Sequence, residues 1–236
     1  MNIVIPFRNT GGQAELKMTL DLLFSNYQVP FRDVIVMGDP IDAYNSRVRN
    51  IVIEERIYNK WLDCNFLIKA YITEVGKDEP FIIFNDDFFV IEPVTEFKTN
   101  FYCGLLNTRM EKTFIADKKI GKVRLSEYGL NIKACIAANG NIPNAELHLP
   151  MYVANPAIML NAIQKANEGN YPAMRRSLYL HMTRENITEI PSDVKFGEPH
   201  MTLQRPFFSL TDDQFCYFRD ELAASINRIH ELEVLK

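Results

Sequence analysis

The sequence predicts an α/β fold with a mixed, mainly parallel sheet flanked by helices. Short runs of β-branched residues alternate with segments whose apolar residues recur at helical spacing, which is the pattern of βαβ units. A strand, a loop and a helix follow one another in that order at the start of the chain. The chain has 236 residues, of which 47% are hydrophobic. A chain of this length buries a full core without disulfides or metals.

The first βα unit starts at the N-terminus. A strand is predicted over Asn2–Phe7, followed by a polar, glycine-containing loop at 8–12. A helix is predicted over Gln13–Asn26 because four apolar residues recur there at helical spacing, namely Leu16, Leu20, Leu23 and Phe24. Such units predict a largely parallel sheet, whose ligands lie at the carboxyl ends of the strands.

Two further strands and the most regular helix follow. The strands are predicted at Val34–Met37, which ends at Gly38-Asp39-Pro40, and at Val48–Ile53. The helix is predicted over Ile57–Val75, with an apolar stripe on one side. Polar residues are expected opposite the stripe, namely Asn59, Lys60, Asp63 and Glu74. Asn65 and Lys69 lie at the edge of the stripe, where they either reach a substrate or form a solvated i,i+4 pair.

The second half of the chain has fewer regular elements. The expected order is an apolar segment at Phe101–Leu106, a basic hairpin around Lys118–Lys122, a helix at about Ser126–Ala138, a loop over Asn139–Pro150 and a helix over Ala157–Asn167. Irregular polar chain is expected after that helix. A capping box at Thr211 predicts a final amphipathic helix over about Thr211–Leu235.

The composition of the chain limits the classes of function that are compatible with it. The chain has 26 Lys and Arg against 30 Asp and Glu, a net charge of −4, which argues against affinity that depends mainly on neutralising a phosphate backbone. The four cysteines lack the paired spacing of zinc sites and are interpreted as reduced core thiols: Cys64, Cys103, Cys135 and Cys216. No apolar stretch approaches the length of about 20 residues that spans a bilayer, and the first apolar run is too short for a signal peptide. A cytoplasmic location is therefore expected.

The most unusual tract is Phe81–Val94, in which two apolar runs bracket Asn85-Asp86-Asp87. Carboxylates between strands are costly unless water, hydrogen bonds or a cation reaches them. A divalent cation relieves the repulsion between both acids, and Mg²⁺ or Mn²⁺ prefers oxygen ligands that it shares with substrate phosphates. Asn and Asp also suit a tight hairpin turn, which is an equally good interpretation of this tract alone.

Charged residues elsewhere add candidates for a site. Arg8 ends the first strand, where it either meets a phosphate or a sugar carboxylate or is a solvated loop residue. His148 is a candidate general base or metal ligand, although a lone histidine is more often structural. Arg175, Arg176 and Lys195 bring positive charge into the late region, either to bind a diphosphate or to coat the surface.

Taken together, these segments resemble glycosyltransferases of the GT-A fold, and more closely the stealth-type sugar-phosphate transferases and their small phage-encoded relatives. The matches cover most of the chain: Ile-Pro-Phe-Arg8, Glu15-Leu16-Lys17, Gly38-Asp39-Pro40, Asn65 with Lys69, Asn85-Asp86-Asp87-Phe88, Leu147-His148-Leu149-Pro150, Arg176-Ser177-Leu178-Tyr179 and Asp193-Val194-Lys195. The most specific of them are the Asn-Asp-Asp-Phe segment after an apolar strand and the His-Leu-Pro segment.

The resemblance implies a metal-dependent glycosyltransferase that moves a sugar from a nucleotide-sugar donor to an acceptor hydroxyl on a glycan or a modified DNA base. It implies one domain over 1–236, with a donor-binding half at about 1–107 and an acceptor-side half at about 108–236. The alternatives are a stealth-type sugar-1-phosphate transferase and a non-catalytic binding protein that retains the fold.

The resemblance also assigns roles to residues. Mn²⁺ or Mg²⁺ is expected on Asp86 and Asp87. The expected catalytic residues are His148, Arg176 and Asp87. The expected substrate-binding residues are Arg8, Gly38, Asn65, Lys69, Asn85 and Lys195.

Overall fold

A five-stranded sheet forms the centre of the fold. The computed structural model describes residues 1–97, 100–102, 104–105, 107, 129, 132–133, 136, 149–167, 174–183, 187–190, 206–210, 214–216, 218–220 and 222–223. The strands in chain order are β1 (Asn2–Phe7), β2 (Val34–Gly38), β3 (Val48–Val52), β4 (Phe81–Ile83), β5 (Phe88–Val90), β6 (Asn100–Tyr102), β7 (Met151–Val153), β8 (Ile187–Glu189) and β9 (Phe207–Ser209). The α-helices whose limits lie within the described residues are α1 (Ala14–Asn26), α2 (Lys60–Ala70), α3 (Pro156–Asn167) and α4 (Arg175–Thr183).

The strand order of the central sheet is β3-β2-β1-β4-β7. β1 is parallel to both β2 and β4, and β2 is parallel to β3, whereas β7 runs antiparallel to β4. The prediction of a mixed, mainly parallel sheet flanked by helices is confirmed. Two small ribbons lie outside this sheet, one made of β5 and β9 and one of β6 and β8.

The strand order reverses at β1, because β2 and β3 lie on one side of it and β4 lies on the other. In open α/β sheets, such a reversal leaves a crevice outside the carboxyl ends of the two central strands, and ligands bind there. The residues that leave these ends are the loop at 8–12 after β1 and the segment at 84–87 after β4. The topology therefore brings two of the segments singled out in the sequence to the same edge.

Both faces of the sheet are covered at β1, β2 and β4, which is why these strands are almost continuously apolar. Side chains alternate between the faces. Ile3 and Ile5 pack with α1, whereas Val4 packs with α2, α3 and α4. All three of these side chains are fully buried.

The first helix is buried on two sides. The predicted stripe of Leu16, Leu20 and Leu23 packs on the sheet. Met18 and Leu22 lie in a separate cluster with residues of β5, Leu210 and the C-terminal segment. The sequence predicts only the first stripe, because the residues that pack against the second stripe come much later in the chain.

The helix predicted over Ile57–Val75 is shorter and less regular. It begins at Lys60 because the side chain of Asn59 caps it, accepting hydrogen bonds from the backbone N–H groups of Trp61 and Leu62. It continues past Ala70 as a π-helical turn over Tyr71–Gly76. The expected position of Asp63 on the polar side is wrong, because this residue is only 2% exposed.

The later predictions have mixed outcomes. The helix at Ala157–Asn167 is confirmed, with Pro156 as its first residue. The expectation of irregular chain after it is wrong, because α4, β8 and β9 lie in that region. Described residues 129, 132–133 and 136, and 214–216, 218–220 and 222–223, are helical, in agreement with the two helices predicted there. The predicted hairpin at 118–122 and most of the predicted loop at 139–150 lie outside the described residues.

Two further expectations concern the cysteines and the membrane. Cys64 is half-buried and Cys216 is exposed, so the core position expected for Cys216 is wrong. Cys103 and Cys135 lie outside the described residues. None of the helices in the described part of the chain combines the length and the apolar character that a membrane span requires.

Candidate functional site

Asn85-Asp86-Asp87, which we call the acidic turn, connects β4 to β5. The N–H of Phe88 donates to the carbonyl of Asn85 over 3.3 Å, so the chain does turn here. The two strands nevertheless do not form a hairpin. β4 belongs to the central sheet, whereas β5 pairs with β9. The hairpin interpretation is therefore wrong, and the acidic turn lies at the crevice beside the end of β1.

Neighbouring elements hold both acids of the turn. The hydroxyl of Thr19 on α1 donates to the backbone carbonyl of Asp86 over 2.6 Å. The hydroxyl of Ser209 on β9 donates to Oδ2 of Asp87 over 2.9 Å. Asp86 and Asp87 are both half-buried. The acidic turn is thus fixed from two sides, and each of its two acids keeps part of its surface exposed.

Arg176 on α4 holds Asn85, the first residue of the acidic turn. Its Nη2 donates to Oδ1 of Asn85 over 2.8 Å, and its Nη1 donates to the carbonyl of Leu149 over 2.8 Å. The guanidinium also lies 5.2 Å from the ring centroid of Phe88, within the range of a cation–π contact. Arg176 is 4% exposed, so it is a buried part of the scaffold around the acidic turn.

On the other side of the crevice, the loop after β1 is held in a defined conformation. The N–H of Asn9 donates to Oδ2 of Asp39 over 2.7 Å, and the N–H of Gly12 donates to Oδ1 of Asn9 over 2.9 Å. Nη1 of Arg8 donates to the carbonyl of Tyr58 over 2.9 Å. Arg8 is half-buried, and it leaves the end of β1 as predicted.

A charged network joins the ends of β1 and β2 to α2. Arg56 donates from Nε to both oxygens of Asp63, over 3.0 and 3.1 Å, and its Nη2 also bonds Oδ2 of Asp63. Its Nη1 pairs with Asp39, and its Nη2 donates to the carbonyl of Phe7 over 3.3 Å. Sequence reasoning missed Arg56, because no local pattern indicates that the chain at 53–59 folds back over the strand ends.

The pKa of Asp63 is the result of opposing effects. Burial alone would raise the pKa of this carboxyl, but the hydrogen bonds from Arg56 and from the N–H of Ile57, together with the charges of Arg56 and Arg8, lower it below its ordinary value. The carboxylate is therefore charged although it is almost inaccessible to solvent. The ion pair explains why an aspartate is tolerated on the buried side of α2.

We expect the stabilisation by Asp63 to disappear in acid. Because its pKa in the folded chain lies below the ordinary value of 3.8, the contribution is complete above that pH and is lost as the pH falls through the folded pKa. Urea unfolding of the wild type and of Asp63→Asn, measured from about pH 6 to about pH 3, tests this. The difference in free energy of unfolding should be constant near neutrality and shrink at the acid end. A constant difference over the whole range would contradict the expectation.

Gly38 ends β2 in a conformation that favours glycine. Its φ is +128°, and a Cβ at this position would lie 2.3 Å from the carbonyl oxygen of Phe7. The same carbonyl accepts from the N–H of Asp39 over 3.2 Å. The sequence predicts that Gly38 lines the nucleotide side, and it does lie at the crevice, where its missing side chain allows β1 and β2 to end close together.

Asn65 and Lys69 are not brought together in a cleft. Asn65 is 1% exposed. Its amide donates to Asn167 over 2.8 Å and accepts from Arg175 over 3.1 Å, so it connects α2 with α3 and α4. Lys69 is exposed. The placement favours a structural role for Asn65, because both ends of its amide are used inside the protein.

The acidic turn is the part of the crevice that could hold a metal. Within the described ranges, no three His, Cys, Asp or Glu side chains lie close enough together to form a metal site on their own. Mg²⁺ bound together with substrate phosphates needs only one or two carboxylates. The oxygen donors of Asp86 and Asp87 suit such a cation by their chemistry. His148 and Lys195, the other predicted site residues, lie outside the described residues.

The sequence matches no protein-family model and has no significant match among curated proteins. A function for this chain is therefore inferred from the geometry of the crevice and from the chemistry of the residues around it.

Proposed function

We propose that the protein is a metal-dependent glycosyltransferase that uses a nucleotide-sugar donor. One observation carries the proposal: the acidic turn follows β4 and lies beside the loop that follows β1, where the strand order reverses. Nucleotides bind at such reversals in open α/β sheets. A pair of carboxylates there suits the divalent cation that accompanies a diphosphate.

The residues divide into two groups around the proposed donor. On the β1 side, Arg8 supplies positive charge that suits phosphate oxygens, and the loop at 9–12, which is held by Asp39, lies beside it. On the β4 side, Asp86 and Asp87 would hold Mn²⁺ or Mg²⁺. The cation, when bound, neutralises charge on the leaving diphosphate. Asn85 keeps the acidic turn in place through its bond to Arg176.

The acceptor side of the proposal depends on the second half of the chain. The acceptor is a hydroxyl of a glycan or of a modified DNA base, and His148 is the proposed group that takes its proton or completes the metal shell. Lys195 would add positive charge near the leaving group. Lys69 is exposed and accessible to a ligand, whereas Asn65 serves the helix interface in this proposal.

Calorimetry of the full chain with UDP, GDP, CDP and TDP sugars, with and without Mn²⁺, tests the proposal. One donor should bind, and Mn²⁺ should tighten its binding by at least about tenfold. Asp86→Asn and Asp87→Asn should each remove this gain. Glu74→Gln is the matched control, because it removes an exposed acid from the π-helical turn. The absence of binding by every donor, or equal binding with and without Mn²⁺, would refute the proposal.

The nucleotide released during turnover separates the two transfer chemistries. Glycosyl transfer breaks the bond between the sugar and the diphosphate, so it releases a nucleoside diphosphate. Sugar-1-phosphate transfer breaks the bond between the phosphates, so it releases a nucleoside monophosphate. We expect the diphosphate, which chromatography of the reaction products identifies.

A further inference from the structure

The buried guanidinium of Arg176 connects two chain segments that are far apart in the sequence. One is the acidic turn, which it reaches through Asn85, and the other is the chain that enters β7, which it reaches through the carbonyl of Leu149. Both bonds are 2.8 Å long. A guanidinium is planar and its N–H groups point in fixed directions, so the position of one acceptor constrains the position of the other.

The two hydrogen bonds of Arg176, which we call the Arg176 bridge, lie where the β4–β7 pair ends. The last pair of residues in this antiparallel ladder is Ile83 with Met151. Beyond that pair, the ladder no longer joins the chain that leaves β4 to the chain that enters β7. Arg176 spans this point from α4. Its two hydrogen bonds therefore join the two segments beyond the point where the ladder between β4 and β7 ends.

The surroundings of Arg176 favour a scaffold role over direct contact with a substrate. A buried charge is costly unless it is hydrogen-bonded. Here two N–H groups of the guanidinium donate to protein oxygens, and the guanidinium also lies over the Phe88 ring. The cavity that it lines, with Leu149, Pro150 and Leu180 among its walls, has a volume of about 10 Å³. That is about the minimum for one water molecule, so this cavity is too small to hold a diphosphate.

We propose that Arg176 is a positioning residue that sets the acidic turn relative to the segment entering β7. This inference rests on the proposed function, because the turn is taken there as the cation site. In the sequence, His148 directly precedes Leu149, so the same bridge anchors the chain next to the proposed acceptor-side residue. Arg176 acts through Asn85 and Leu149 and does not itself touch the donor.

Calorimetric titration of the full chain with Mn²⁺, in the presence of the nucleotide sugar that binds in the donor screen, tests this role. Arg176→Lys keeps the charge but cannot donate to both acceptors in the fork geometry, and Asn85→Ala removes the acceptor on the turn. Each should weaken Mn²⁺ binding by about 10- to 100-fold. The double variant should bind Mn²⁺ no more weakly than whichever single variant has the lower affinity, because both substitutions break the same hydrogen bond between Arg176 and Asn85.

Arg175→Lys is the matched control. Arg175 precedes Arg176 on α4 but bonds Asn65 and Cys64. The control should lower the melting temperature while leaving the affinity for Mn²⁺ unchanged. If Arg176→Lys behaves in the same way, its role is structural only and the inference is wrong. If Arg176→Lys does not fold, Asn85→Ala still tests the inference, because it removes the acceptor of the same hydrogen bond.

The same titration separates the two proposals. A wild-type chain that binds Mn²⁺ together with variants that bind it equally well would overturn the positioning role alone. A wild-type chain that binds no Mn²⁺ in the presence of any of the four donors would overturn the proposed cation site and the positioning role with it.

Discussion

Replacing Arg56 with alanine is expected to lower the free energy of unfolding by about 3–5 kcal/mol. The substitution leaves the carboxylate of Asp63, whose side chain is 3% exposed, without its main cationic partner. It also removes the contacts with Asp39 and with the carbonyl of Phe7. Urea denaturation at neutral pH measures the change.

Arg49→Ala is the control for this prediction. Arg49 lies on β3 and pairs with Asp33 over 3.9 Å, with its side chain 56% exposed. Exposed pairs of this kind contribute about 0–1 kcal/mol, so the control should stay close to the wild type. Equal losses in both variants would show that the Arg56 pair is no more important than an ion pair at the surface.

Replacing Gly38 with alanine is expected to cost at least about 3 kcal/mol. The φ of +128° is unfavourable for a residue with a Cβ, and the added atom would meet the carbonyl oxygen of Phe7 at 2.3 Å. That oxygen belongs to the backbone of β1, which pairs with β2 along its length. The clash therefore cannot be relieved by a side-chain rotation, and thermal and urea unfolding should both detect the loss.

Gly11→Ala is the control for Gly38→Ala. A Cβ at Gly11 meets nothing within 4 Å, so the change should be within about 1 kcal/mol of zero and can even stabilise by restricting the unfolded chain. The two glycines lie near the ends of neighbouring strands but differ in their surroundings. A small effect at Gly38 would mean that the ends of β1 and β2 separate more easily than their geometry indicates.

Much of the fold was predictable because its signals are local. β1 has the predicted limits, Asn2–Phe7, and α1 differs from its prediction by one residue at its start. β-branched runs between polar loops specify buried strands, and helical spacing of leucines specifies α1. α4 was missed because the residues that it buries include Arg176, Ser177 and His181, and a search for apolar residues at helical spacing does not find polar ones.

The candidate site was predictable only in part. The acidic turn stands out in the sequence as a polar interruption of an apolar tract, and it does lie at a carboxyl end of the sheet. Asn65 is equally suited to a ligand by its sequence position, yet it is buried between helices. A single sequence cannot distinguish these cases, because the difference depends on which later helix covers α2.

The fold class, the first strands and helix, and the position of the acidic turn between two apolar runs can all be predicted from the amino-acid sequence alone. These follow from hydrophobic periodicity, which acts between residues that are close along the chain. The partners of the charged groups, by contrast, depend on how the elements pack in the folded chain. Arg56 finds Asp63 and Asp39, and Arg176 joins Asn85 to Leu149. A charge is buried only where folding supplies its hydrogen bonds, and those partners come from strands and helices that the sheet order brings together.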